Sequence, residues 1–432
     1  MSASKNQVAW LQLFAKYGIV EAIDYEGAFD ITATQINEFR QARLMTKFDY
    51  KSQLPELFRR QNISILPTSR GSYILARMDT FHPFKEAKTA LSRIEFPTHL
   101  ESIDYHHITS ESAALNCAYI SGMIADFVGE DQLLPTVNGR MGSSTFEFEI
   151  DVEKGQARLP VRVENAQLEI DGGYEGKNAL YLIEAKNSIS DDFLVRQLYY
   201  PYRLWSKRIE KQVRSLFLTY TNGIFHFREY DFSDPKHYNS IYLVREKKYA
   251  LRERAITRNL LKELLVDTVF VEEPAIPFPQ ADSFERVINL CELIHKNGVL
   301  AKDVITANYD FDKRQTDYYT SAARYLGLVE KVQDENGIQF ILTEQGKAIF
   351  QQKMTDRQLA FIEAILCHKV FHTTLSRLFE LRQMPHKDEI VAIMKASNLH
   401  KVGKDSTYRR RASTVSRWTA WIVAQIEDLL LF

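Results

Sequence analysis

Residues 164–187 read Glu-Asn-Ala-Gln-Leu-Glu-Ile-Asp-Gly-Gly-Tyr-Glu-Gly-Lys-Asn-Ala-Leu-Tyr-Leu-Ile-Glu-Ala-Lys-Asn. Two strand-like runs flank a glycine-bearing turn. Successive strand side chains point to opposite faces. On the first run Ala166, Leu168 and Ile170 therefore share one face, and Gln167, Glu169 and Asp171 the other. On the second, Leu180, Leu182, Glu184 and Lys186 share a face that is apolar at its start and polar at its end. Asp171 is expected to end the first run. Glycines 172, 173 and 176 then allow a compact hairpin that brings Asp171 near Glu184.

Two carboxylates and a lysine at adjacent strand ends suit metal-dependent phosphodiester hydrolysis. That reaction places negative charge on the attacking and leaving oxygens, and Mg²⁺, held by carboxylate oxygens, offsets it. Asp171 and Glu184 are the expected ligands, with the Ala185 carbonyl as a third. Lys186 would orient or help deprotonate the attacking water, or stabilise the transition state. Its place between two acids favours the charged form, and so the electrostatic role. The competing reading is a surface hairpin closed by an Asp–Glu–Lys salt bridge.

A helix over about 191–208 follows, with Phe193, Gln197, Tyr200 and Leu204 on one face. Gln197 there would hold the scissile phosphate or a metal-bound water, or be a satisfied buried amide. Pro201 should kink this helix or end its regular part. Tyr199, Tyr200 and Tyr202 read equally well as core.

The order of a helix with an acid, a strand with Asp, a strand with Glu-x-Lys and a helix with Gln resembles the PD-(D/E)XK nuclease superfamily. More narrowly, several stretches resemble bacterial type II restriction endonucleases: Thr-Ser-Glu-Ser-Ala-Ala-Leu-Asn (109–116), Gly-Arg-Met-Gly-Ser (139–143), residues 167–175, Glu-Ala-Lys-Asn (184–187) and Arg-Gln-Leu-Tyr-Tyr-Pro-Tyr-Arg (196–203). The resemblance covers roughly residues 100–235. It implies that Asp171, Glu184 and Lys186 form the catalytic triad, supported by Gln197, with Glu111 as the helix acid. Ile170 stands where the superfamily name has proline. Periodicity turns Glu111 away, since the expected stripe is Ala113, Cys117, Ile120, Ile124 and Phe127 on one helix over 110–128. An acid in a first helical turn is also what the helix dipole favours. Arg140 and Ser143, read as loop residues, could meet a phosphate.

Beyond this stretch the chain is less explicit. Its 432 residues suggest two to four domains, at about 100–200 residues each. With 55 basic and 56 acidic residues, a nucleic-acid surface must be a local patch. Cys117, Cys291 and Cys367 are widely spaced in apolar patterns, so core thiols and a reducing cytoplasm are expected. The start lacks the apolar core of a signal peptide, and no apolar run approaches the roughly 18 residues of a membrane span.

The expected fold is α/β: a mixed-sheet nuclease core over 101–272, with an N-terminal α/β module over 1–100 and a mainly helical C-terminal half. In the N-terminal module, helices are expected over 8–17 and 34–45, then a strand pair at 63–66 and 71–76. Its Lys47, Lys51, Arg59, Arg60 and Arg70 could also face DNA. In the core, strands are expected at 145–152, 159–171, 179–185, 215–220 and 224–230, with a Thr-Asn-Gly hairpin turn at 221–223. Three prolines in 273–281 read as a linker.

Residues 282–350 are expected to form a winged helix. Its third helix, about 314–326, would present Lys313, Arg314, Gln315, Thr316, Tyr319 and Arg324 to DNA. Residues 355–432 read as a second helix-turn-helix with Arg409, Arg410, Arg411, Ser413 and Thr414 near a recognition helix N-terminus. Ser406 or Thr407 would cap that helix, and Val415, Trp418, Trp421 and Ile422 would face its core. Packing or dimerisation, and a solvated basic face, are the bland alternatives.

The combined expectation is a Mg²⁺-dependent type II restriction endonuclease cutting double-stranded DNA to 5′-phosphate ends. One active site cuts one strand, so a homodimer on DNA is expected, together with a cognate DNA methyltransferase and no membrane association. Competing functions are a methylation-dependent, defence or repair nuclease, and a DNA-binding regulator with an inactive core.

Overall fold

The computed structural model describes residues 5–85, 89–152, 155–308, 313–335, 337–397, 399–400 and 402–427. Asn336, within the turn expected between the two wing strands, and residues 1–4 and 428–432 lie outside them. Contacts divide the chain into two compact units, 1–103 with 110–250, and 104–109 with 251–432. The first joins the N-terminal module to the sheet region. Residues 251–272, expected to close the sheet region, belong to the second.

The first unit is mixed α/β and is built on a seven-stranded sheet. Its spatial order is Leu91–Ile94, Ile241–Leu251, Ile224–Phe232, Gln212–Thr221, Ala179–Lys186, Gln167–Glu175 and Leu134–Gly142. The strand Ala179–Lys186 is antiparallel to Gln167–Glu175 but parallel to Gln212–Thr221. A parallel pair needs a crossover, here the helix Arg196–Arg208. Its Leu198 and Leu204 pack with Leu180, Leu182, Val213 and Phe217. The other sheet face meets the helices Glu111–Ile120 and Met123–Val128: Tyr119 stacks on Tyr174 at 5.1 Å and Phe127 on Phe227 at 5.4 Å.

Several boundaries differ from the periodic reading. The expected 159–171 run is two strands, Ala157–Val163 and Gln167–Glu175, parted by Asn165 at φ 52°. Asp171 does not end its strand. Gly172 and Gly173 are extended and paired with Ile183 and Leu182, and the turn falls after Glu175. Gly173 has to be small: a Cβ there would lie 2.7 Å from Val137 Cβ on the next strand. Glu130 closes the turn, accepting Lys177 N–H at 2.7 Å and Tyr181 O–H at 2.8 Å. Pro201 stays inside a continuous helix, where it cannot donate to the Gln197 carbonyl. The hairpin at 221–223 is as expected, with Asn222 and Gly223 both at positive φ.

The N-terminal module has its own core around Trp10, Leu13, Phe14, Phe48 and Phe58. Helix Lys5–Tyr17 and the strands Ser64–Pro67 and Ser72–Ala76 match the pattern. The expected 34–45 helix is instead two short ones, Ala33–Asn37 and Ala42–Met45. Asn37 Oδ1 caps the second by accepting Ala42 N–H at 2.7 Å. A further strand, Ala28–Thr32, pairs with Ser72–Ala76.

In the second unit the helix Arg258–Asp267 comes first, followed by helix Phe284–Asn297, strand Val299–Ala301, helices Lys302–Asn308 and Lys313–Tyr325, strands Val329–Asp334 and Gly337–Leu342, and the short helix Glu344–Phe350. Its three strands form one sheet. Helices Met354–Leu366, Lys369–Leu381, Lys387–Lys395 and Asp405–Ala424 follow. The two expected C-terminal domains share one core, because Phe284 packs on Trp418 at 4.9 Å and on Trp421 at 4.4 Å. The proline-rich segment is part of that core: Phe278 and Ala281 are buried, and Trp418 donates its indole N–H to the Ala281 carbonyl at 2.7 Å. Among the described residues no helix is long and apolar enough to cross a membrane.

Candidate active site

The ladder between Gln167–Glu175 and Ala179–Lys186 runs from Leu180↔Glu175 to Ile183↔Gly172 and then stops. One residue further, Asp171 replaces backbone pairing with its side chain, as Oδ2 accepts the Ala185 N–H at 2.8 Å. Glu184, only 8% exposed, accepts from Lys186 Nζ at 2.6 Å and from Gln197 Nε2 at 2.5 Å, both on Oε1. Gln197 stands in the first turn of the crossover helix, just past the end of the Glu184 strand. The fold thus brings Asp171, Glu184, Ala185, Lys186 and Gln197 together.

Burial dominates the electrostatics. It pushes the Glu184 carboxyl up to about 7, with Asp171 and Asp49 adding to the rise and Lys186 opposing it. Burial also raises Asp171, against the Ala185 hydrogen bond and the Lys186 charge. Burial opposes the Lys186 charge, but Glu184, Asp49, Tyr50 and Glu111 override it and hold the ammonium well above its ordinary value. Lys186 is therefore a charged electrostatic group, and its proton is not readily given up.

Glu111 lies closer to the site than its expected stripe implied. The 110–128 segment breaks at Gly122 (φ 79°), and the buried residues of the first helix are Ala114, Leu115, Cys117 and Ala118. Glu111, Leu115 and Ala118 fall on one helical face. A Cβ on Gly172 would meet Leu115 Cδ1 at 3.4 Å. Glu111 is thereby carried toward Lys186, whose charge it stabilises.

Asp49 and Tyr50 were not found from the sequence. Asp49 Oδ1 accepts from Gln197 Nε2 at 3.3 Å, and buried Tyr50 shares a 2.7 Å hydrogen bond with Ser188. The only local signal is that Phe48 and Tyr50, both buried, flank an acid. An open pocket of about 200 Å³ lined by Lys51, Phe58, Arg59, Asp79 and Asp192 lies along the same segment, but none of the site acids lines it.

Among the described residues no group of three or more His, Cys, Asp or Glu gathers at one metal-sized point. The chemistry of the donors nevertheless fits Mg²⁺, which takes one or two carboxylates and keeps several waters. Asp171 and Glu184 would be the two, and Asp49 adds to the negative field around Glu184 that Lys186 opposes.

The DNA-facing candidates divide. On helix Lys313–Tyr325, Thr316 and Tyr319 are buried at 0% and 9%, so they pack inward; Arg314 is exposed against Tyr318, and Gln315 and Arg324 are half-buried. The side chain of Lys313 lies outside the description. On helix Asp405–Ala424, Arg411 and Thr414 are buried. Thr414 Oγ1 donates to Asp282 Oδ1 at 2.7 Å, and Arg411 meets Gln280 Oε1 at 2.8 Å through both terminal nitrogens. Arg409 and Arg410 are exposed, Arg409 paired with Asp388 at 2.9 Å. The helix begins at Asp405 without a side-chain cap, and Ser283 caps the Phe284 helix. Arg140 lies on a strand, opposite Glu169, which it meets at 3.3 Å.

Three family models match the chain, each described only as a domain of unknown function: residues 7–75 (DUF6996), 76–250 (DUF6997) and 286–427 (DUF7226). No curated protein and no solved structure matches it significantly.

Proposed function

We propose that the protein is a divalent-metal-dependent endonuclease of the restriction type acting on duplex DNA. The observation that carries this reading is the junction where strand pairing stops. There Asp171 holds the Ala185 amide, and Lys186 and Gln197 share Glu184 Oε1. Buried charge is costly unless it is put to use, and perturbed carboxylates beside a held lysine are a functional signature.

Mg²⁺, when bound by Asp171, Glu184 and the Ala185 carbonyl, would offset charge on the phosphate and activate water. Lys186 keeps its proton and stabilises the negative charge that develops on the phosphate oxygens. Gln197 holds Glu184 in place. The helix–strand–helix–helix–strand–strand order of residues 284–342 is compatible with the winged-helix reading, and Arg314, Arg409 and Arg410 are the DNA-facing candidates of the second unit. One site cuts one strand, so the reading includes a homodimer on DNA. It also includes 5′-phosphate products, a protecting methyltransferase and a cytoplasmic setting.

The test is digestion of a sequenced phage DNA with Mg²⁺, followed by end mapping. Discrete fragments bearing 5′-phosphates support the reading. Intact DNA at every metal tried overturns it and leaves a DNA-binding regulator. Cutting confined to methylated DNA selects a modification-dependent nuclease.

A further inference from the structure

Gln197 presents one amide nitrogen to two carboxylates, Glu184 Oε1 at 2.5 Å and Asp49 Oδ1 at 3.3 Å. A primary amide has two N–H donors on that nitrogen and acceptors only on its oxygen. Two acids on one side therefore fix which way the amide faces. The other end agrees: Gln197 Oε1 is buried without a partner. It lines a small cavity with Glu184 and Ser215, whose hydroxyl is likewise buried and unpartnered. Without Asp49, one N–H would lose its acceptor and the amide would be held by Glu184 alone, free to rotate about its side-chain torsions.

Asp49 is held for this task by its own backbone. Its N–H donates to Gln53 Oε1 at 2.6 Å, and its carbonyl accepts from Leu194 N–H at 3.0 Å. On the next residues, Tyr50 bonds Ser188 at 2.7 Å and Lys51 N–H donates to Asp192 Oδ1 at 2.9 Å. These contacts pin residues 49–51 along the start of the crossover between Lys186 and Gln197. Phe48 and Tyr50 bury the side chains on either side.

We propose that Asp49, supplied by the N-terminal module, is a positioning residue that locks the Gln197 amide and, through it, Glu184. The N-terminal segment is then an integral wall of the nuclease site. The inference rests on the nuclease reading and adds a residue outside the sheet region to it.

The experiment measures single-turnover cleavage of plasmid DNA with Mg²⁺ by the full chain and by Asp49→Ala, Asp49→Asn, Gln197→Ala and Asp49→Ala/Gln197→Ala. DNA affinity and melting temperature are measured alongside. Misplacing a catalytic group by about 1 Å costs on the order of 100-fold. Asp49→Ala is expected to lower the rate about 10- to 100-fold with DNA affinity unchanged. Asp49→Asn keeps an acceptor for Gln197 and is expected to recover most of the rate. The double variant should be no slower than Gln197→Ala, because the two residues act as one unit. Additive losses, or an unchanged rate in Asp49→Ala, overturn the inference while leaving the nuclease reading intact. A wild-type protein that cuts no DNA removes both.

Discussion

The two units differ in how they place their candidate functional charges. In the sheet unit, Glu184 is buried, the Lys186 side chain is 13% exposed, Gln197 links Glu184 to Asp49, and Asp171 holds the Ala185 amide beside them. In the helical unit, the arginines nearest a helix N-terminus are split between roles: Arg409 and Arg410 face solvent, while Arg411 is inside. Burying a charge costs free energy that a stable fold avoids unless the group is paired or used. The sheet cluster therefore speaks for function by its placement. An exposed arginine is ordinary on any surface, and its presence alone decides little.

The sharpest break of this contrast is removal of the site charges. Asp171→Ala and Lys186→Ala are each expected to cut DNA cleavage by at least about 100- to 1,000-fold, with DNA binding retained in a gel-shift assay. Normal cleavage by either would return the cluster to a purely structural role. Next in size is Arg411→Ala. It leaves Gln280 without its partner and should lower stability by about 1–3 kcal/mol, read as a drop in melting temperature.

The pH dependence follows from Glu184. Burial lifts its value from 4.5 to about 7, so the folded protein holds this proton more tightly than the unfolded chain. Its contribution to stability is full below 4.5 and is lost as pH rises through about 7. Metal binding would need the carboxylate, so at limiting Mg²⁺ cleavage should fall as pH drops below that value, and saturating Mg²⁺ should move the fall to lower pH, as pH–rate profiles would record. Arg410→Ala is a smaller perturbation. It should leave the melting temperature alone and reduce the salt slope of DNA binding by about 1. The least effect is expected for Arg140→Ala. Its exposed pair with Glu169 contributes about 0.2–1 kcal/mol at most.

Much of the site was legible because strand alternation is a local rule. Leu180, Leu182, Glu184 and Lys186 could be placed on one face without any tertiary knowledge. The third helix of the second unit shows where such rules fail. Its span was expected at 314–326 and is Lys313–Tyr325, yet Thr316 and Tyr319 face the core. Polar and aromatic residues do not declare which side of a helix is inward, because threonine can satisfy its hydroxyl locally and tyrosine is amphipathic. Glu111 shows the converse error. The expected stripe assumes one unbroken helix, whereas the helix breaks at Gly122 and its buried residues Ala114, Leu115 and Ala118 lie on a face that includes Glu111.

The sequence by itself determined the alternation that pairs Glu184 with Lys186 and the helical spacing of the second unit, whereas it placed Gly173 in a turn and not in the ladder beside Val137. Alternation and spacing depend on neighbours within a few residues. Only the tertiary structure decided that the strand ladder stops at Gly172, that the proline-rich segment is core, and that Asp49 meets Gln197 across 148 positions of chain. Long-range contacts of this kind arise from how whole elements pack, and no local period in the chain encodes which distant acid will face a given amide.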